Sequence, residues 1–239
     1  MSMSLLEMVR EARGRMGQPV PGSAIGNTDP TVIQCVGIFQ EFLEDLVNRK
    51  MWQAVTREAT FTTVATESQG VLSTLFPYGF EGILPETFYN RTTILPIVGS
   101  KSPAEWAFRK AAAFSGPLPV YRIRNNEMLF NPVPTAGQTV YCEYYSSYFV
   151  YNSATTTYKK YWSADTDTCL IDDGIAMQYF KWAWKMAKGL SYAEDFRKYE
   201  AMVAGRGLRD AARPPIRMDG SQPNMGPGVV VSPGSWPLP

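Results

Sequence analysis

The chain contains no histidine among its 239 residues. That absence removes Ser-His-Asp and Cys-His catalysis, the usual zinc sites and the commonest general base near neutral pH. Cysteine is scarce: Cys35, Cys142 and Cys169 lie far apart, form no CxxC and have no metal-ligand spacing. An odd number at such intervals fits a reducing compartment, where a thiol acts as a small apolar side chain. Neither sign of charge is in excess. The formal net charge is +1, so no long-range field draws in nucleic acid or an anionic membrane. No apolar run approaches the roughly 18–20 residues that span a bilayer. No basic stretch followed by an apolar one opens the chain as a leader would. Phosphate-binding glycine loops are missing as well. The expectation is a protein with no cofactor and no metal, and only enzymes built on Asp, Glu, Lys or Tyr stay open.

What is present is a globular composition, 45% hydrophobic and 19% charged, in a chain long enough to bury a core. Ser4 with Glu7 makes a capping box ahead of a helix carrying Leu5, Met8, Val9, Ala12 and Met16. Asp29 and Pro30 start a second, longer helix. On it Val32, Cys35, Phe39, Phe42 and Leu46 trace one stripe, and Ile33, Val36, Leu43 and Val47 its neighbour. The period then changes. Thr- and Val-rich residues 54–67 alternate as a strand. Residues 70–84 fit a short helix or a turn, residues 86–98 two short strands, and Ser102-Pro103 opens a short helix. Val120–Arg124, a turn at Asn125-Asn126, Glu127–Phe130 and Thr139–Tyr148 read as three antiparallel strands. Polar residues 152–168 read as a loop or arm. Asp172 or Asp173 caps a helix that Gly189 ends, and Ser191 with Glu194 caps the last one.

The stretch Met177–Glu200 mixes aromatics with lysines. Gln178, Lys181, Lys185 and Lys188 form one polar stripe, with Ile175, Tyr179, Trp182 and Met186 on one flank and Met177, Phe180, Trp184 and Ala187 on the other. Only a narrow face is wet, so protein must cover the rest. In the next helix Tyr192, Phe196, Tyr199 and Val203 make the apolar stripe, and Glu194, Asp195, Arg197, Lys198 and Glu200 face away. Phe39, Phe42, Tyr179, Trp182, Trp184, Tyr192 and Phe196 are therefore core or subunit-interface candidates. The lysines are a solvated face, or face passing DNA if the helix lines a pore. A single-stranded nucleic-acid platform is the third reading.

From Arg213 onward Pro and Gly are too dense for a packed core, so this stretch reads as an extended arm. The layout predicts an α+β fold. It is a four-helix bundle (1–53 and 170–212) holding a β-rich antiparallel insertion with one short helix (54–169), followed by the arm (213–239).

Residues 26–65, "GNTDPTVIQCVGIFQEFLEDLVNRKMWQAVTREATFTTVA", resemble the first half of a head-to-tail adaptor of short-tailed bacteriophages. "YRIRNNEMLFNPVPTAGQTVYCEYYS" and "AKGLSYAEDFRKYEAMVA" are similar to its second half. The resemblance runs from Ser4 to about Arg213 as a diffuse pattern. It implies a virion structural protein made in the bacterial cytoplasm. Copies would form a homo-oligomeric ring, typically of twelve, below the portal protein at the head–tail interface. The ring extends the channel for double-stranded DNA and offers a docking surface for the tail nozzle or tube, and sometimes for fibres. No catalytic motif carries over. Arg213, Arg217, Val229, Val230, Val231 and Trp236 are then candidates for docking the arm on portal or neighbour, and Lys181, Lys185 and Lys188 for facing the channel.

Two other classes are open. A virion-associated peptidoglycan hydrolase needs only two carboxylates, yet no pair stands out among Glu58, Glu67, Glu81, Glu86 and Glu105. A nucleic-acid-binding module predicts strong, salt-dependent DNA retardation.

Overall fold

The computed structural model describes residues 2–49, 51–84, 86–112, 116 and 118–210. Helices α1 (Leu5–Arg15) and α2 (Pro30–Arg49) lead through a 3-10 turn at Gln53–Val55 to β1 (Thr56–Thr62), β2 (Ser68–Val71) and the one-turn α3 (Leu72–Leu75). Then come β3 (Gly82–Ile83), β4 (Tyr89–Asn90), β5 (Leu95–Pro96), α4 (Pro103–Ala111), β6 (Val120–Arg124), β7 (Glu127–Asn131) and β8 (Thr139–Tyr145). The short strands β9 (Val150–Asn152), β10 (Thr157–Lys159) and β11 (Asp167–Cys169) precede α5 (Asp173–Ala187) and α6 (Ala193–Asp210).

Helix starts follow their caps. Ser4 N–H donates to the Glu7 carboxylate at 2.8 Å, and Glu7 N–H donates back to Ser4 Oγ at 3.3 Å. Ser102 Oγ accepts Glu105 N–H at the head of α4, and an Asp172 oxygen accepts Gly174 N–H at the head of α5. Asn125 and Asn126 both have positive φ, 53° and 60°, which turns β6 tightly into β7.

The strands form three antiparallel sheets. One is β1-β8-β4-β5 with β3 also on β8, the second β2-β7-β6, the third β10-β9-β11. Phe61, Phe88, Tyr121, Phe130, Val140, Cys142 and Tyr144 form the apolar core between the first two. β8 therefore pairs with β1 in a seven-residue register from Thr56↔Tyr145 to Thr62↔Thr139. The expected three-strand run of neighbours in sequence is corrected: β7 pairs with β6 and β2, not β8. Residues 152–168 are corrected too, because two strands run through them. Their polar sequence folds around one carboxylate. Asp167 is fully buried and accepts from Ser163 N–H, Ala164 N–H, Asn152 Nδ2 and Lys159 Nζ at 2.5–3.1 Å. Paired in this way, a buried charge is retained rather than expelled.

The four-helix bundle is also corrected. The described residues show six helices and three antiparallel sheets, with no such bundle. α5 is a hub on which α1, α2 and α6 pack, and α1 packs as well on α2 and β11. The wide apolar arcs are closed by strands and loops, since Phe149, Val150, Trp162, Cys169 and Ile171 share the helical core. Trp162 Nε1 donates to the Phe39 carbonyl at 3.3 Å, and Trp52 Nε1 to that of Leu46 at 3.1 Å. Residues 213–239, read as the arm, lie outside the described residues.

Gly79 is one place where glycine is required. Its φ is +75°, and a Cβ there would meet Ser147 Oγ and lie 2.8 Å from the Tyr148 ring. Gly79→Ala is expected to cost about 1–3 kcal/mol. A lowered urea midpoint checks this, and an unchanged one contradicts the packing of this turn.

Candidate assembly interface

α5 and α6 form an antiparallel hairpin. Gly189, with φ 69°, closes α5, and Leu190 N–H returns to the Lys185 carbonyl at 2.8 Å. The inner side of the hairpin is aromatic. Phe39 stacks on Phe180 with centroids 5.2 Å apart, and Phe180 on Trp184 at 5.8 Å. Phe42 meets Tyr179, while Trp182 lies among Tyr179, Tyr192, Phe196 and Tyr199. Tyr199 is fully buried, and its hydroxyl donates to Asp45 at 2.5 Å. Burial, and then that carboxylate, raise its pKa. Arg49 bridges Asp45 at 2.6 Å and Glu200 at 2.7 Å, so α6 is tied to α2 as well as α5.

The candidate residues thus fall into three groups. Phe39, Phe42 and Tyr179 are core. Trp182, Trp184 and Phe196 are half-buried, and the Trp182 Nε1 donor finds no acceptor among the described residues. Tyr192 is exposed at the turn. With it stand Met186, 49% exposed, and Leu190, 56% exposed. Three large apolar side chains at one turn form a surface that water covers at a cost. Sequence periodicity puts Tyr192 among the core or interface candidates and Met186 on a flank that protein must cover, but gives Leu190 and the turn no role. The available signal was Leu190 itself, an apolar residue directly after the terminating glycine.

The lysine stripe is engaged. Lys181 Nζ lies 2.7 Å and Lys185 Nζ 2.5 Å from the Asp195 carboxylate, which is 4% exposed. Lys188 donates to Gln34 Oε1 at 3.3 Å and stands 4.6 Å from the centre of the Trp184 ring. Asp195, expected to face away, instead faces α5. It falls between Tyr192 and Tyr199 on the helix, on the same side as the apolar stripe. Hydrogen bonds from Lys181 and then Lys185 lower its pKa from 3.8 to about 2. A carboxylate lowered on folding contributes stability above its unfolded pKa, and that contribution disappears as pH falls through the folded one. The wild type is therefore expected to lose stability between about pH 4 and pH 2, and Asp195→Asn to lose less over that range. Urea titrations across this range check it, and parallel slopes would contradict it.

Where α5 begins, two adjoining grooves of about 260 and 430 Å³ are both lined by Asp172 and Arg206. They sit between the end of α6, β11 and the start of α1, at the opposite end of α5 from the apolar turn. The carboxylates considered for hydrolysis do not converge on either groove. Glu67 pairs with Lys110, Glu105 with Lys101 and Arg109, and Glu58 shares the Tyr141 hydroxyl with Glu143 on an exposed sheet face. Among the described residues no His/Cys/Asp/Glu group could hold a metal, and no helix is long and apolar enough to cross a membrane. Arg213, Arg217, Val229, Val230, Val231 and Trp236 lie outside the described residues.

A search of curated proteins finds no match. A family model does match: that of the SU10 adaptor protein, over residues 3–229. This family is structural, and its members are bacteriophage virion components that interact with portal and tail components. The match spans both apolar cores, the α5–α6 hairpin and most of the residues after α6, so the chain belongs to the SU10 adaptor protein family, the head–tail adaptors of bacteriophages.

Proposed function

We propose that this chain forms a ring, of twelve copies in the commonest arrangement, between the portal and the tail nozzle or tube. The ring extends the DNA channel used in genome ejection. The observation that carries this reading is the exposed apolar turn Met186–Tyr192 on an adaptor-family chain. Such side chains at an otherwise well-packed hairpin suit a surface that a neighbouring copy covers. The chain stays monomeric until an assembled portal sets the symmetry. Residues after Arg213 then latch on portal or neighbour through Arg213, Arg217, the valines 229–231 and Trp236, because their ordering cost is offset only on binding. The helical residues make the ring wall, and the β-rich residues meet the next tail component and, where present, fibres. If Lys181, Lys185 and Lys188 face the lumen, Asp195 already neutralises part of their charge. Such a surface holds few phosphates and lets DNA pass. Immunogold labelling of intact virions tests the placement. Label at the head–tail vertex supports it, and label confined to capsid faces or the distal tail tip contradicts it.

A further inference from the structure

β1 is an outer strand, paired with β8 alone. Two bonds fix which of its backbone groups are used. Ser146 N–H donates to the Val55 carbonyl at one end, and Thr63 N–H to the Gln138 carbonyl at the other. Odd-numbered residues therefore bond to β8, and the two-residue period turns the N–H and C=O of Glu58 and Thr60 off the edge of the sheet. No hydrogen bond from the described residues reaches these groups. Of the usual protections of an edge the strand has only two charged side chains, Arg57 and Glu58. It has no proline and no lysine, its seven residues run without a bulge, and Glu58, Thr60 and Thr62 are exposed.

The described residues end near the start of β1. α6 ends at Asp210, whose carboxylate accepts Gln53 N–H at 2.6 Å, just before β1 begins. The residues that follow first offer Arg213-Pro214-Pro215, and proline cannot donate to a ladder. Further on, Val229-Val230-Val231 is a run of three β-branched residues, the type that strands favour. An extended chain from Asp210 to Val229 reaches about 60 Å, while β1, at seven residues, is about 23 Å long. A tether of that length keeps the valines at high effective concentration near their own edge.

We propose that Val229–Val231 adds to the free edge of β1 in the same chain, taking the backbone groups of Glu58 and Thr60. The occupied edge is then closed to stray strands before assembly. This inference concerns the isolated chain and does not depend on the ring. A portal or neighbour that takes the same valines must first strip them from β1.

Residue-resolved hydrogen exchange on the full chain tests it, comparing wild type with Val230→Pro and with a chain stopped after Gly228. The wild-type amides of Glu58 and Thr60 should exchange slowly at every protein concentration, and about tenfold or more faster in both variants. Ala59 and Phe61, bonded to β8, should stay slow in all three and show that the fold is intact. Equal exchange at Glu58 and Thr60 in all three chains overturns the proposal. Protection that fades on dilution also overturns it, assigning the edge to a neighbouring copy. Immunogold placement of the protein in the virion would be unaffected by either result.

Discussion

Phe39→Ala is expected to remove about 3–5 kcal/mol of folding stability. The ring is fully buried and stacks on Phe180, which stacks in turn on Trp184. Its backbone carbonyl also holds the Trp162 indole, so this residue joins α2 and α5 to the loop between β10 and β11 of the third sheet. Truncation leaves a cavity lined by rigid rings, which collapse poorly. A whole domain is stable by only about 5–15 kcal/mol, so the loss is a large share of the total. Phe39→Leu, which keeps most of the volume, should cost about 1.5 kcal/mol or less. Urea denaturation followed by far-UV circular dichroism reads both. A loss below about 1 kcal/mol for the alanine variant would mean that the aromatic column is not the centre of the helical core.

The second large effect concerns assembly and spares the fold. Met186→Lys with Leu190→Lys places two ammonium groups on the apolar turn. Both residues are about half exposed, and cations near a helix C-terminus are tolerated, so the monomer should melt close to wild type. If the turn is covered by a neighbour, each side chain contributes about 1.5–3 kcal/mol of burial there. Losing both, and burying charge in their place, should weaken each subunit contact by at least about two orders of magnitude. Portal-bound copies should then fall below detection in gradient sedimentation. Wild-type loading by the double variant would remove this turn from the interface.

Local chemistry made much of the architecture legible. Ser4 with Glu7, Ser102 with Glu105 and Asp172 each have a side chain whose partner is within three residues, and each sits at a helix start. Asn125-Asn126 gave the β6–β7 hairpin for the same reason. The misses are non-local. Nothing near Thr139–Tyr145 says that its partner is β1, more than seventy residues earlier. The third sheet escaped because its buried positions include Asn152 and Asp167, whose burial is made tolerable by hydrogen bonds that only the folded chain assembles. The bundle follows from the layout, in which four long helices flank the β-rich residues and carry wide apolar arcs to be covered. An arc states how much must be covered and not by what, and here Phe149, Val150 and Trp162 cover it. Within the candidate interface, periodicity placed Phe39, Phe42 and Tyr179 inside but could not see that Asp195 faces the lysines. That contact depends on how α6 rolls against α5 after Gly189.

The most direct measurement is the native mass of the purified chain, by light scattering, alone and mixed with portal rings from the same phage. The account predicts a monomer of 26.7 kDa that joins the portal in multiple copies as one discrete complex. A chain whose mass and elution do not change in the presence of portal rings would contradict it.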